Sequence, residues 1–186
     1  HALSAARKQL QAGRPDAAAE GVELALSTVT QLGRVVEKFR PWLRDEVSLE
    51  PVSLRELAED ALVQEGSHAQ RHHVTLGNRV AAALPPLTLD RMALSEVLSN
   101  LLHNAVTAMA VEPLSNRQVH VDSFLDEAAG EVLLRVCDLG PGVPVALREA
   151  VFERGFTQAA AGTEGGTGWG LANCRYWVEK LGGRMR

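Results

Sequence analysis

Gly165 to Cys174 reads "GGTGWGLANC". Glycines at Gly166, Gly168 and Gly170 suit backbone wrapped around a phosphate. Without Cβ atoms their N–H groups approach an anion closely, and a helix opening behind them adds its dipole. The bulky Trp169 between two of them leaves a merely glycine-rich turn as the alternative. Asn100 and Asn104 lie one helical turn apart in "RMALSEVLSNLLHNAVTAM" and share a face of an otherwise apolar helix. Buried amides need partners, either neighbouring backbone groups or a ligand. Asp138 ends the apolar run "EVLLRVCDLG", and in the following "LGPGVP" Gly140 and Gly142 permit a tight turn and close approach. Its carboxylate either caps the next helix or accepts a hydrogen bond from an exocyclic amine such as that of adenine. Eleven of the 16 glycines fall from Gly130 onward. Backbone freedom is thus concentrated where these two loops meet, which favours a site over isolated turns.

Composition bounds the partners. At 186 residues and 46% hydrophobic, the chain can bury one full core and a smaller helical appendage. A net charge of -4 and a pI near 5.9, with bases and acids interleaved, provide no stripe to neutralise nucleic-acid phosphates. No apolar run reaches the roughly 18 residues of a membrane span, and no signal-peptide pattern opens the chain. Cys137 and Cys174 lie far apart without paired-ligand spacing, which argues against a disulfide framework or a zinc site and fits a reducing, cytoplasmic setting.

The elements that must position these residues follow from periodicity. Apolar residues at Val22, Ala25, Val29, Leu32, Val36, Phe39 and Leu43 alternate steps of three and four, the seam of a pairing helix. "QAGRPD" before it ends one helix and opens the next, so residues 1–45 read as an antiparallel helical hairpin, either completed by dimerisation into a four-helix bundle or packed onto its own domain. The second helix would run about 42 Å and the first only about 18 Å, which reads as a first helix cut short. Pro41 bends or ends the second. Residues 46–52 read as a linker. Ser53 and Glu56 form a capping box opening a helix through "LRELAEDALVQE", "HHVTLGNRV" reads as a strand and "LPPLTLD" as a loop. Asp90 caps the asparagine helix, which is expected to bury Met92, Val97, Leu98, Leu101, Leu102, Ala105 and Ala108. "RQVHVDSFL" and "EVLLRVCDLG" read as adjacent strands before a final helix. The order predicts an α+β fold: a two-layer α/β sandwich over 53–186, with a mixed sheet and helices on one face, preceded by the hairpin.

Four stretches in order, "NLLHNAVTAM", "DLGPGVP", "VFERGFT" and "GGTGWGLA", resemble the sequence boxes of sensor histidine kinases. The hairpin resembles their dimerisation region, so the likeness covers nearly the whole chain. The resemblance implies an ATP-dependent protein-histidine kinase of a two-component system. It implies that Asn104 holds Mg²⁺ against the nucleotide phosphates and that Asp138 accepts the adenine amine. Gly140 and Gly142 would pass beneath the base; Gly166, Thr167, Gly168, Trp169, Gly170 and Leu171 would bring backbone to the phosphates. Asn100, His103, Ala108 and Val143 complete the implied ATP-binding set. ATP and Mg²⁺ are the implied cofactors. A response-regulator receiver domain and a second copy of the chain are the implied partners, and the parent protein is either cytoplasmic or anchored to the inner membrane.

Departures from the family pattern are expectations too. The wider fold family includes hydrolases with a glutamate four residues before the metal asparagine. Asn100 stands there, and an amide is no general base, which favours phosphoryl transfer over hydrolysis. Glu96, a turn further back, reads as solvated or capping. The stretch from Gln158 to Gly165 resembles the nucleotide lid, with Phe152 and Phe156 packed beneath it or serving as core anchors. No lysine or arginine occurs between Arg154 and Arg175, and Gln158 stands where a lysine is common. The phosphoacceptor is left open: His1, without the acid and proline that normally follow it, reads either as that residue or as an expression remnant or an ordinary helix residue. His103 reads either as a phosphate contact or as helix surface, and His72 and His73 as solvent-exposed at a strand start. The final strand expected after "GGRMR" is missing, which reads as a clipped C-terminus. Two other readings stay open: a serine kinase of an anti-sigma type switch, and a nucleotide-sensing dimer scaffold without transfer.

Overall fold

The computed structural model describes residues 46–157 and 168–186 and, before them, the helical residues 7, 9, 11, 16, 17, 19, 21–23, 25, 26 and 29. The chain divides into two compact units, His1–Asp45 and Glu46–Arg186. In the first, Ala25 of the expected seam is buried while Val22 and Val29 are exposed. The rest of the expected hairpin, with His1, lies outside the described residues.

The second unit opens with β1 (Glu50–Val52), α1 (Leu54–Arg71), β2 (Thr75–Arg79), β3 (Leu87–Leu89) and α2 (Arg91–Met109). It closes with β4 (Gln118–Asp126), β5 (Glu131–Asp138) and α3 (Gly170–Lys180). β2 runs parallel to β4, and β4 antiparallel to β5, so the sheet is mixed. Parallel pairing requires a crossover, and α2 provides it. On one face Val119 and Val121 are buried, and Val132, Leu134 and Val136 pack against the same core. Leu57, Ala61 and Leu62 of α1 and Leu98, Leu102 and Val106 of α2 cover that face. The period of two in the strands thus meets the three-to-four period of the helices. Ala93 and Val97 on a second side of α2 bury Cys174 and Trp177 of α3.

Four local expectations are corrected. The linker ends in a strand, because Glu50, Pro51 and Val52 pair antiparallel with Leu89, Thr88 and Leu87. The same pairing makes "LPPLTLD" part strand rather than loop. A three-residue strand containing a proline carries no period of its own, so only its partner defines it. Asp90 does cap α2, accepting from Ala93 N at 2.9 Å, but its second oxygen also accepts from Ser48 N at 2.9 Å and ties the linker down. Met92 is 58% exposed, so the buried stripe begins at Ala93. His72 and His73 do not begin a strand: α1 continues to Arg71, His72 is its half-buried C-cap, and exposed His73 turns the chain at φ 55°.

Arg117 organises the helix ends. Its guanidinium donates to the carbonyls of Glu112 at 2.8 Å, His72 at 2.7 Å and Ala110 at 2.9 Å, joining the C-termini of α1 and α2. A cation there satisfies leftover carbonyls and faces the negative ends of two helix dipoles. Arg117→Lys keeps the charge but not the planar fork. We expect it to lose about 1–3 kcal/mol, because at least one part-buried carbonyl is left unpaired, read as a lower urea midpoint.

Candidate functional site

α2 carries the stripe. Asn100, Asn104 and Ala108 recur every four residues along one face, over about 12 Å of helix axis. Both glycine loops meet this stripe, one at each end.

At the N-terminal end stands Gly170, the first residue of α3. A Cβ on Gly170 would lie 3.0 Å from Asn100 Oδ1. Asn100 turns its Nδ2 back to the carbonyl of Glu96 at 3.0 Å. Trp169, at the N-cap position of α3, makes no side-chain capping bond, so the first-turn N–H groups are left to other acceptors. Gly168 adopts φ 72°, and a Cβ there would lie 2.5 Å from the carbonyl carbon of Gly155. Gly155 N donates to Gly168 O at 2.9 Å, so the ends of the segment 156–167 are held together. Gly155 was not among the sequence candidates. Its signal in the sequence is its place in "VFERGFT", and its φ of 81° emerges only from the structure.

At the other end, a Cβ on Gly140 would lie 2.9 Å from Met109 Cε and 3.5 Å from Ala108 Cβ. Gly140 N donates to Asp138 Oδ1 at 2.9 Å, which fixes the carboxylate at the mouth of the loop. Gly142 turns the backbone at φ 70°, and Val143 beside it is exposed. The structure therefore brings Asn100 to Gly170, and Ala108 to Asp138 and Gly140, with Asn104 between them.

Two expectations change here. Asn104 is exposed rather than buried, so no backbone group of the core needs its amide, and among the described residues none bonds to it. His103 leans towards α1, with Nδ1 3.2 Å from Glu65 Oε1. Leu171 and Trp169 are half-buried at the start of α3. Gly166, Thr167 and the stretch from Gln158 to Gly165 lie outside the described residues. Phe152 lies under the guanidinium of Arg175, 4.1 Å from ring centre to Cζ. Arg175 also donates to Glu149 at 3.1 Å, and so pins the turn before the segment to α3.

Cys174 faces the second core beneath this site, its Sγ 3.7 Å from the carbonyl of Val97. Burial, with a contribution from Glu96, pushes its thiol from 9.0 up to about 12. The folded state therefore keeps a proton that the unfolded state releases. The stability contribution is complete below the unfolded value near 9 and is lost as pH rises towards 12. The unfolding free energy read from urea titrations should fall at up to about 1.4 kcal/mol per pH unit above about pH 9, and Cys174→Ala should flatten that part of the slope.

The residues present fit a nucleotide and its metal. Two glycines stand where a Cβ would strike neighbours, a helix N-terminus lacks a side-chain cap, an exposed neutral amide projects between them, and a carboxylate stands at the far end. Such an arrangement defines a class, an α/β sandwich whose helix carries a stripe of amides and a small residue between two glycine loops. Residues 89–186 match the family described as Histidine kinase-, DNA gyrase B-, and HSP90-like ATPase, and the chain belongs to that family.

Among its relatives is the C4-dicarboxylate transport sensor protein DctB of Rhizobium meliloti (strain 1021), 30% identical over 97% of this chain and 28% of the relative. Sensor histidine kinase AruS of Pseudomonas aeruginosa is 36% identical over 90% of this chain and 16% of its own length. The chain thus spans about a quarter or less of these proteins. Among solved structures, the mycobacterial sensor histidine kinase MprB is 27% identical, with a TM-score of 0.57 over 73% of this chain and 81% of that one. Full-length ShkA, solved in complex with AMPPNP, shares the fold at a TM-score of 0.68 and 23% identity, over 92% of this chain and 34% of that one. Among the described residues no helix is long and apolar enough to cross a membrane.

Proposed function

We propose that this chain is the transmitter core of a two-component sensor histidine kinase, which binds Mg·ATP and passes the γ-phosphoryl to a histidine for relay to a response-regulator aspartate. The observation that carries the proposal is the stripe Asn100–Asn104–Ala108, closed at one end by Gly170 and at the other by Asp138 and Gly140. Asp138 would accept the adenine amine. Gly140 and Gly142 would line the base, with Ala108 beneath and Val143 at the rim. Gly168, Trp169, Gly170 and Leu171, with Gly166 and Thr167, would offer backbone donors at the start of α3, where the helix dipole favours anions. Asn104 would hold the metal, since a neutral oxygen ligand suits Mg²⁺ beside phosphates that already carry the negative charge. Bound there, the ion supplies charge neutralisation to the triphosphate.

Transfer rather than hydrolysis follows from Asn100. Its amide has no basic lone pair with which to activate water, and its Nδ2 is engaged by Glu96 O. The exposed Val22 and Val29 support a helical interface with a second copy. We place the core on the cytoplasmic side, in a parent protein that is either cytoplasmic or anchored to the inner membrane, with no nucleic acid or direct membrane contact. The acceptor histidine is left open, and His1, a candidate within this chain, lies outside the described residues.

Expressed from its whole open reading frame and incubated with γ-labelled Mg·ATP, the protein should acquire acid-labile, base-stable phosphate. Acid-stable label would instead identify a serine kinase, and metal-dependent ATP binding without label a nucleotide-sensing scaffold.

A further inference from the structure

Among the described residues two carboxylates are buried, Asp90 and Glu65. Asp90 is accounted for by its capping bond and its hold on Ser48. Glu65 is not part of the nucleotide stripe, yet its side chain is only 11% exposed and faces two imidazoles. Oε1 contacts Nδ1 of His68, one turn further along α1, and lies 3.2 Å from Nδ1 of His103 on α2. The two rings stack with centres 4.3 Å apart and planes at 22°, and both Nδ1 atoms lie against the same carboxylate oxygen. His72 closes the far side of His68, edge-on at 4.8 Å.

The three ligand atoms all lie within 4.8 Å of one another. A tetrahedral ion with bonds of about 2.0–2.1 Å separates its ligands by about 3.3–3.4 Å, so the 3.2 Å edge between Glu65 and His103 matches, while His68 Nδ1 has to turn away from Glu65 Oε1, its hydrogen-bond partner, to admit the ion. Burying a carboxylate is costly unless charge compensates it, and a divalent cation held by two imidazoles would do so. Nitrogen donors paired with one carboxylate select borderline transition ions over Mg²⁺. His103 is 57% exposed, which provides an entry path and room for water at a fourth position.

We propose that Glu65, His68 and His103 form a site for a divalent transition ion of the Zn²⁺ class, bridging the C-terminal half of α1 to α2 one residue before Asn104. The inference does not depend on the nucleotide reading, because metal binding is measured without ATP. His120, Asp122 and Cys137 form a second group of similar span on the outer face of the sheet. There Arg135 occupies both oxygens of Asp122, at 2.7 and 2.8 Å, so a cation would have to displace a cation.

The test titrates ZnCl2 calorimetrically into the chelator-stripped chain in excess Mg²⁺. One Zn²⁺ per chain is expected, weakened by about tenfold or more in His103→Ala and in His68→Ala, and unchanged in Cys137→Ser. His103→Ala alters an exposed side chain, so its unchanged thermal midpoint without metal separates ligand loss from misfolding. Co²⁺ substituted for Zn²⁺ should show visible ligand-field bands without a thiolate charge-transfer band. Absence of stoichiometric Zn²⁺ binding overturns the proposal. So does affinity retained within about twofold in His103→Ala, or a thiolate band abolished by Cys137→Ser.

Discussion

Asn104→Asp should weaken Mg²⁺-dependent ATP binding by about ten- to a hundredfold, and phosphoryl transfer with it, while leaving the fold intact. The substitution is isosteric and its site is exposed, so thermal unfolding should not move. The added charge would face the phosphates. At 4–5 Å and an effective dielectric near 20, two like charges repel by about 3–4 kcal/mol. Screening by solvent at an exposed position reduces this to roughly 1–3 kcal/mol, about ten- to a hundredfold in affinity. The amide donor is lost as well, and a negative ligand alters the coordination of the metal. Calorimetry with ATP in Mg²⁺ and in chelator reads both effects. Equal metal-dependent binding and turnover in the two proteins would remove Asn104 from the site.

Gly168→Ala is expected to cost both stability and nucleotide affinity. A positive φ of 72° is strained for any residue with a Cβ, by roughly 1–2 kcal/mol. The new methyl would in addition lie 2.5 Å from the carbonyl carbon of Gly155 and 2.7 Å from Phe156 O, backbone atoms that no rotamer change can move aside. Overpacking of this kind adds about 1–3 kcal/mol. The hydrogen bond from Gly155 N to Gly168 O would open, and the loop would lose its shape at the start of α3. Gly142→Ala is the control. It has a similar φ of 70° but nothing within 4 Å of a Cβ, so only the conformational cost of about 1–2 kcal/mol applies. Chemical denaturation should rank Gly168→Ala well below Gly142→Ala. Equal losses would mean that the Gly155 contact does not hold the loop.

Much of the second unit was legible in the sequence because its signals are local. The capping positions Ser53 and Asp90 make the expected hydrogen bonds, Ser53 Oγ accepting from Glu56 N at 3.3 Å. α2 spans the stretch read as a helix, since Val97, Leu98, Leu102 and Ala105 recur at its period. The two adjacent strands read from the sequence are β4 and β5, and the structure pairs them antiparallel. Pairings between distant segments were not legible. Nothing in Glu50–Val52 announces a strand until Leu87–Leu89 lies beside it. Arg117 has no periodicity to mark it, and its task appears only when two helix ends converge on it.

The candidate site divides along the same line. The residue types are the sequence's own: amides one turn apart on a helix, a carboxylate at a strand end, and glycines where backbone must pass close to something. Their chemistry follows from side chain and spacing, because one helix or one loop sets both. The distances between loops belong to the tertiary structure. That Gly170 abuts Asn100 depends on α2 and α3 packing through Ala93, Val97, Cys174 and Trp177, and that Gly140 abuts Met109 and Ala108 depends on α2 packing over β5 in the core of the sheet. His103 shows the difference most directly. Its sequence position beside Asn104 suggested phosphate or solvent, and the packing of α1 against α2 set it opposite Glu65 instead, because a side chain's partner is chosen by the neighbouring element and not by the residue next in the chain.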